Sequence, residues 1–134
     1  MSNNSLLVQF FVKEVFRNDA CDAEELSYLI SPDFTYYLDV GFRMNYNQFI
    51  ERIKFLFSSS TVQLGRMASD DDVHFYCDFE IEHPESNRGD QTYGLSQIVV
   101  RNGFIHQVTI NYHENENEFS EFKKFIKNHT SVFL

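Results

Sequence analysis

The chain has 134 residues, of which 43% are hydrophobic and 23% charged, and this composition predicts one folded domain over residues 1–134 rather than a disordered chain. Twenty acidic against eleven basic residues give a net charge of −9, which argues against binding to nucleic acid or to an anionic membrane surface. No stretch approaches the roughly 20 apolar residues of a membrane helix, the N-terminus lacks a signal-peptide pattern and the two cysteines form no framework, so we expect a cytoplasmic protein with no metal site and no cofactor.

The first half of the chain has helical periodicity. A helix is predicted from about Asn4 to Asn18, with an apolar stripe made by Leu6, Leu7, Phe10, Phe11, Val15 and Phe16. Asp22 and Glu25 have the spacing of a capping box, which predicts a short second helix. That helix is expected to end near Ile30, because Ser31-Pro32 follows.

A short strand and a third helix come next. Residues 34–39 are predicted to form the strand. Asn45 and Gln48 form a second capping signal for a helix that ends near Phe57. Its apolar residues recur at helical spacing, which is typical of a core-facing helix: Tyr46, Phe49, Ile50, Ile53, Leu56 and Phe57.

From Thr61 onward the period of the pattern changes to two. A weak strand is predicted over 61–69, a turn over 70–72, and the clearest strand over 73–83. Two further strands, 92–101 and 104–113, are joined by Asn102-Gly103, the typical pair of a type I′ hairpin.

A last helix is predicted over about 116–128, capped by Asn115 or Asn117. Its apolar side is expected to cover one end of the domain and consists of Phe119, Phe122, Phe125 and Ile126. Helices segregated from an antiparallel meander indicate the α+β class.

This order of elements resembles the nuclear transport factor 2-like (NTF2-like) superfamily, which includes the SnoaL-like cyclases and the ketosteroid isomerases. The resemblance covers about residues 5–115, and it is carried by Arg17-Asn18-Asp19, Ser31-Pro32-Asp33-Phe34-Thr35-Tyr36, Asp39-Val40-Gly41, the 45–57 helix and the hairpin at 98–105. It implies a strongly bent, antiparallel-rich sheet wrapped as a cone around the N-terminal helices. In the family the concave face holds a small, often apolar molecule, and the convex face commonly forms a dimer.

The resemblance also locates the family's catalytic positions in this chain. The general base of the isomerases falls on Leu38, one residue before Asp39, and their helix tyrosine falls on Phe11. Their protonated aspartic acid falls on Gln97, and the cyclase pattern leaves only His106. Asp39 and His106 are therefore the catalytic candidates, and isomerase activity of the standard type is not expected.

Alternation along the strands predicts the wall of a pocket. Its polar groups are expected to be Tyr36, Tyr93, Gln97, His106 and Tyr112, and its apolar residues Leu38, Phe75, Phe79, Leu95, Val99, Val108 and Ile110. Phe11 of the first helix is expected to complete the apolar wall. Apolar walls with sparse polar groups are typical of small-molecule sites. The alternative is that aromatic side chains simply fill the cone.

The sequence leaves the roles of His106 and Asp39 and the function of the chain open. His106 is either a general acid or base or a core histidine bonded to a tyrosine, and Asp39 is either a turn residue or a base. A homodimer is expected because the residues predicted to face outward are partly apolar: Ile98, Val100, Ile105, Thr109 and Asn111. The function is either binding of a small, mostly apolar molecule or catalysis of the isomerase, dehydratase or cyclase type.

Overall fold

A computed structural model describes residues 2–16, 26–38, 43–57, 61–82 and 91–128. In chain order the elements are α1 (Asn3–Val15), a 3₁₀ turn (Ser27–Leu29), β1 (Ile30–Leu38), β2 (Arg43–Met44), α2 (Tyr46–Phe57), β3 (Thr61–Ala68), β4 (His74–Glu82), β5 (Gln91–Arg101), β6 (Phe104–His113) and α3 (Glu116–Asn128). The capping pair Asp22 and Glu25 lies outside the described residues.

The six strands form one curled, unclosed sheet in the order β2-β1-β6-β5-β4-β3. Strands β1 and β6 are parallel, and every other neighbouring pair is antiparallel. The predicted α+β cone is therefore confirmed, with α1 and α2 packed against the concave side, which we call the inner face. The opposite side of the sheet is the outer face.

Short-range signals in the sequence fix several element ends. The Asn45 side chain accepts a hydrogen bond from the Gln48 amide, and the Gln48 side chain accepts one from the Asn45 amide, both at 2.9 Å. Asn115, not Asn117, caps α3, because its side-chain oxygen accepts from the amides of residues 117 and 118. Asn102 and Gly103 have φ values of 54° and 79°, as the predicted hairpin turn requires.

The start of β1 differs from the prediction. Residues 22–25 of the expected second helix lie outside the described residues; Leu26 is helical and is followed by the 3₁₀ turn. The strand begins at Ile30 rather than Phe34. Pro32 is tolerated inside this strand because β2 pairs only with Tyr36 and Tyr37, so no ladder bond from residue 32 is needed on that side.

Helix α1 crosses the inner face from one end of the sheet to the other. At its start the Ser2 hydroxyl and the Asn4 amide contact Asp72, in the turn between β3 and β4. Beyond its last residue, the Phe16 ring lies 5.0 Å from the Phe79 ring. We call the end of the sheet with the β3–β4 and β5–β6 turns the hairpin end, and the end near Phe79 the loop end.

Helix α3 packs on the outer face and does not cover an end of the cone, so that prediction is wrong. The Phe119 ring stacks on Tyr93 with ring centres 5.7 Å apart, and Leu95 lies buried beneath the helix. The Lys123 ammonium donates to the Asp78 carboxylate at 3.1 Å. Phe125, predicted to be part of the packed side, is 54% exposed.

Candidate functional site

The inner face can be read directly from the strand pairing, because paired residues point to the same side of a sheet. Tyr36 pairs with Val108, and Leu38 pairs with Ile110. Phe79 pairs with Gly94, which in turn pairs with Tyr112. These pairs, with the buried core, define an inner face that includes Phe34, Tyr36, Phe75, Cys77, Phe79, Ile81, Gly94, Ser96, Ile98, Val100, Ile105, Val108, Ile110 and Tyr112.

The predicted face of β5 is wrong. Gln97 pairs with Tyr76, and Tyr93 pairs with Glu80, so both point to the outer face, as do Leu95 and Val99. The cause is a β-bulge in β6: Val100 pairs with Ile105, whereas Val99 pairs with Gln107. His106 is the extra residue of this bulge. Beyond the bulge the register slips by one residue, and a one-residue slip moves every side chain of a strand to the other face.

The same slip removes the basis on which a homodimer was predicted. Ile98, Val100 and Ile105 belong to the core and are at most 1% exposed. Thr109 and Asn111 do lie on the outer face, opposite Gln97 and Leu95. The homodimer stays a prediction.

Aromatic side chains fill the inner face of the cone towards the hairpin end. Tyr36 is fully buried, with its ring 4.7 Å from that of Phe49. Phe11 stacks against the same ring at 6.4 Å, and Phe34 lies 5.8 Å from it. Two predicted pocket residues, Phe11 and Tyr36, are therefore part of a packed aromatic core around Phe49.

At the loop end a phenol joins the apolar residues of the inner face. The Tyr112 ring meets the Phe79 ring edge to face, with ring centres 6.2 Å apart, and Tyr112 is only half-buried. Gly94 allows this arrangement, because a Cβ at that position would lie within 3.0 Å of three ring atoms of Phe79. The role of Gly94 was not predicted, although a glycine within a strand is a known sign of close approach by another group.

The inner face has few side chains that could act as a general acid or base. Among the residues that the described ladders place there, none is a carboxylate or an imidazole. Burial, together with the nearby Asp78 charge, raises the pKa of the Cys77 thiol to about 11, so this cysteine is not a nucleophile at neutral pH. The Ser96 hydroxyl donates to the Cys77 carbonyl at 2.9 Å.

The two catalytic candidates are not brought together on this face by the described part of the chain. His106 is half-buried in the bulge and has no direct partner on β5. Asp39 lies outside the described residues, and Leu38 pairs through its backbone with Ile110.

A groove of about 240 Å³ lies on the outer face, between α3 and the neighbouring strands. Its lining combines the Asp78–Lys123 ion pair with Glu80 and Glu116 and with the rings of Tyr93 and Phe119. Within the described ranges, no group of three or more histidine, cysteine or acidic residues has the geometry of a metal site. No helix in the same ranges is long and apolar enough to cross a membrane.

Many solved structures with the same architecture are NTF2-like or SnoaL-like proteins, which confirms the resemblance at the level of fold. A candidate SnoaL-like polyketide cyclase from Jannaschia sp. CCS1 gives a TM-score of 0.68 at 10% identity, over 82% of this chain and 85% of that chain. A candidate ketosteroid isomerase from Kribbella flavida DSM 17836 gives 0.68 at 14% identity, over 84% and 79%. A de novo designed protein with a curved β-sheet gives 0.66 at 20% identity, over 98% and 99%. No protein-family model and no curated protein matches the sequence.

Proposed function

We propose that this chain binds a small, mostly apolar molecule on the inner face at the loop end, without the acid–base residues of the isomerases. The observation that carries the proposal is the composition of this face. Phe16, Phe79 and Ile81, each at most 5% exposed, form its apolar wall, and Tyr112, whose ring meets that of Phe79, adds a phenol. A hydroxyl both donates and accepts hydrogen bonds, so it can orient an oxygen of a ligand whose remainder leaves water.

The charge of the chain limits the class of ligand. With a net charge of −9 and no basic side chain among the inner-face residues of the described strands, an anion has no counter-charge there. A neutral aromatic or isoprenoid-like molecule with one or two oxygens fits the chemistry best. Its rings pack on the Phe79 edge and its oxygen meets the phenol.

The composition of the face favours binding over catalysis. Proton transfer at carbon or ring closure needs a base near the reacting atom. The isomerase positions in this chain are Leu38, Phe11 and Gln97: the first two carry no titratable group, and the third lies on the outer face. An enzyme of the isomerase, dehydratase or cyclase type is the alternative function, and Asp39 and His106 would be its catalytic groups.

A thermal-shift screen of neutral aromatic and isoprenoid-like compounds, such as naphthol and geraniol, tests the proposal. A ligand that binds only the folded state raises the free energy of unfolding by about 2.7 kcal/mol at a hundredfold excess over Kd. Loss of one hydrogen bond is worth about 1 kcal/mol, so Tyr112→Phe should weaken a hit by about fivefold.

The matched control is Tyr93→Phe, which removes a phenol from the outer face of the neighbouring strand. We expect it to leave the affinity unchanged, and the same holds for Gln97→Leu. A hit weakened by the outer-face variants and not by Tyr112→Phe contradicts the proposed location.

A further inference from the structure

A second polar cluster lies on the outer face at the hairpin end, away from the proposed ligand site. His74 and Tyr76 are two residues apart on β4 and therefore point to the same side. Gln97 is the direct partner of Tyr76 across the β4–β5 ladder, and it reaches the same side. His74 is 5% exposed and Gln97 is 6% exposed, although both are polar.

One atom of each side chain is buried without a partner. His74 Nε2, the Tyr76 hydroxyl and Gln97 Oε1 make no hydrogen bond to the described part of the chain. All three side chains line one dimple of about 10 Å³, together with Val99, Gln107 and Thr109. Unsatisfied buried polar atoms are rare in folded proteins, so three of them around one dimple indicate a shared partner.

The hydrogen-bonding role of each unpaired atom follows from the surroundings of its side chain. His74 Nδ1 lies 2.5 Å from the Asp71 carboxylate. Burial of Asp71 would raise its pKa, but hydrogen bonds from the His74 and Val73 amides and from the His74 ring lower the pKa to about 2. The carboxylate is therefore ionised at neutral pH and accepts a hydrogen bond from the Nδ1–H group of His74. In the neutral ring, Nε2 is then left as an acceptor.

The surroundings of the Gln97 amide and the Tyr76 phenol likewise determine which of them accepts and which donates. The Gln97 amide nitrogen donates to Asn111 Oδ1 at 3.2 Å, which leaves Oε1 as an acceptor directed elsewhere. Burial, together with the charges of Asp71 and Asp70, raises the pKa of Tyr76, so the phenol keeps its proton and can donate. The dimple is thus surrounded by two acceptors and one donor.

We propose that one water molecule occupies this dimple as a fixed part of the fold, donating to His74 Nε2 and Gln97 Oε1 and accepting from the Tyr76 hydroxyl. A water molecule has two donors and two acceptor sites, so it satisfies all three atoms at once. The volume admits about one water-sized sphere, and three partners is the usual number for a buried water. The water would connect the Asp71 turn at the start of β4 to the middle of β5.

Replacing the phenol distinguishes a hydrated cluster from an unsatisfied one by the sign of the effect. If the Tyr76 hydroxyl donates to a bound water, Tyr76→Phe removes a hydrogen bond and lowers the melting temperature. If the hydroxyl is truly unpaired, the same substitution removes a buried unsatisfied group and raises the melting temperature. Phenylalanine keeps the ring, so the variant retains the apolar contacts of Tyr76.

The control is Tyr93→Phe, on the same outer face, whose hydroxyl donates to Gln91 at 3.2 Å. We expect Tyr76→Phe to lower the melting temperature by more than this control does. A crystal structure of the wild-type chain should show one water peak within hydrogen-bonding distance of His74 Nε2, the Tyr76 hydroxyl and Gln97 Oε1. An ordered dimple without that peak, or a higher melting temperature for Tyr76→Phe, overturns the proposal.

Discussion

Gly94 and Phe79 provide the sharpest stability test of the inner face. A methyl group at residue 94 would collide with the Phe79 ring, which is 1% exposed and has little room to move. Overpacking of this kind costs about 1–3 kcal/mol. The lower freedom of alanine in the unfolded chain offsets about 0.4–1 kcal/mol of that. We therefore expect Gly94→Ala to lower the free energy of unfolding by about 1–2 kcal/mol.

A second substitution shows whether the ring is the cause. Phe79→Leu shortens the side chain that the new methyl group would meet, so the two changes should compensate each other. In a double-mutant cycle measured by urea unfolding, the double variant should be more stable than the sum of the single effects by about 1 kcal/mol. Single effects that add within about 0.5 kcal/mol would refute the reasoning.

Gly103→Ala is the matched control for this cycle. Gly103 has a φ of +79° and no atom within 4 Å of the position a Cβ would take. Its substitution should cost about 1–2 kcal/mol through left-handed backbone strain alone. That cost should not depend on the residue at position 79, so the Gly103→Ala and Phe79→Leu effects should add.

Three further predictions concern other parts of the chain. The pKa of Asp71 is about 2 in the folded chain and about 4 in the unfolded chain. The ionised carboxylate therefore stabilises the fold fully above about pH 4, and this contribution is lost as the pH falls through about 2. Asp71→Asn should therefore flatten the dependence of unfolding free energy on pH between those values, and an unchanged slope contradicts this. Deletion of residues 116–134 should expose Leu95 and lower the free energy of unfolding by about 3 kcal/mol, because the packing of Phe119 on Leu95 is lost; an unchanged urea midpoint would show that α3 contributes nothing. Cys77 is 3% exposed with a pKa of about 11, so iodoacetamide should label its peptide in the folded state far more slowly than in urea, and equal rates would contradict the burial.

Local signals in the sequence predict much of this fold. The Asn45–Gln48 box, the Asn115 cap and the Asn102-Gly103 turn each depend on a few neighbouring residues, and each is found where it was expected. From Phe75 onward, strand β4 also alternates between buried and more accessible positions, so its inner face is predicted correctly. These features need no knowledge of which strands become neighbours.

The face of β5 was not predictable in the same way. Residues 94–100 of this strand are all buried, because α1 and the core cover one face and α3 covers part of the other. A strand covered on both sides has no polar-to-apolar alternation to read. Its register then has to be extended from the Asn102-Gly103 turn, and that extension without a bulge gives the pairs 97–108 and 95–110.

The bulge at His106 changes these pairs to 98–108 and 96–110. It lets both Ile105 and Val108 point into the core, where they are at most 1% exposed. No turn residue marks the bulge in the sequence. The only indication is the spacing of these two apolar residues, three apart, which a regular strand cannot place on one face.

Methyl-group NMR on the wild-type chain tests the central claim, that a small apolar ligand binds on the inner face. Ile81 and Ile110 carry inner-face methyl groups towards the loop end, and Leu95 and Val99 carry outer-face methyl groups on the intervening strand. On titration with a stabilising compound from the neutral aromatic panel, we expect the Ile81 and Ile110 signals to shift and those of Leu95 and Val99 to stay unchanged. Shifts confined to Leu95 and Val99 would contradict it.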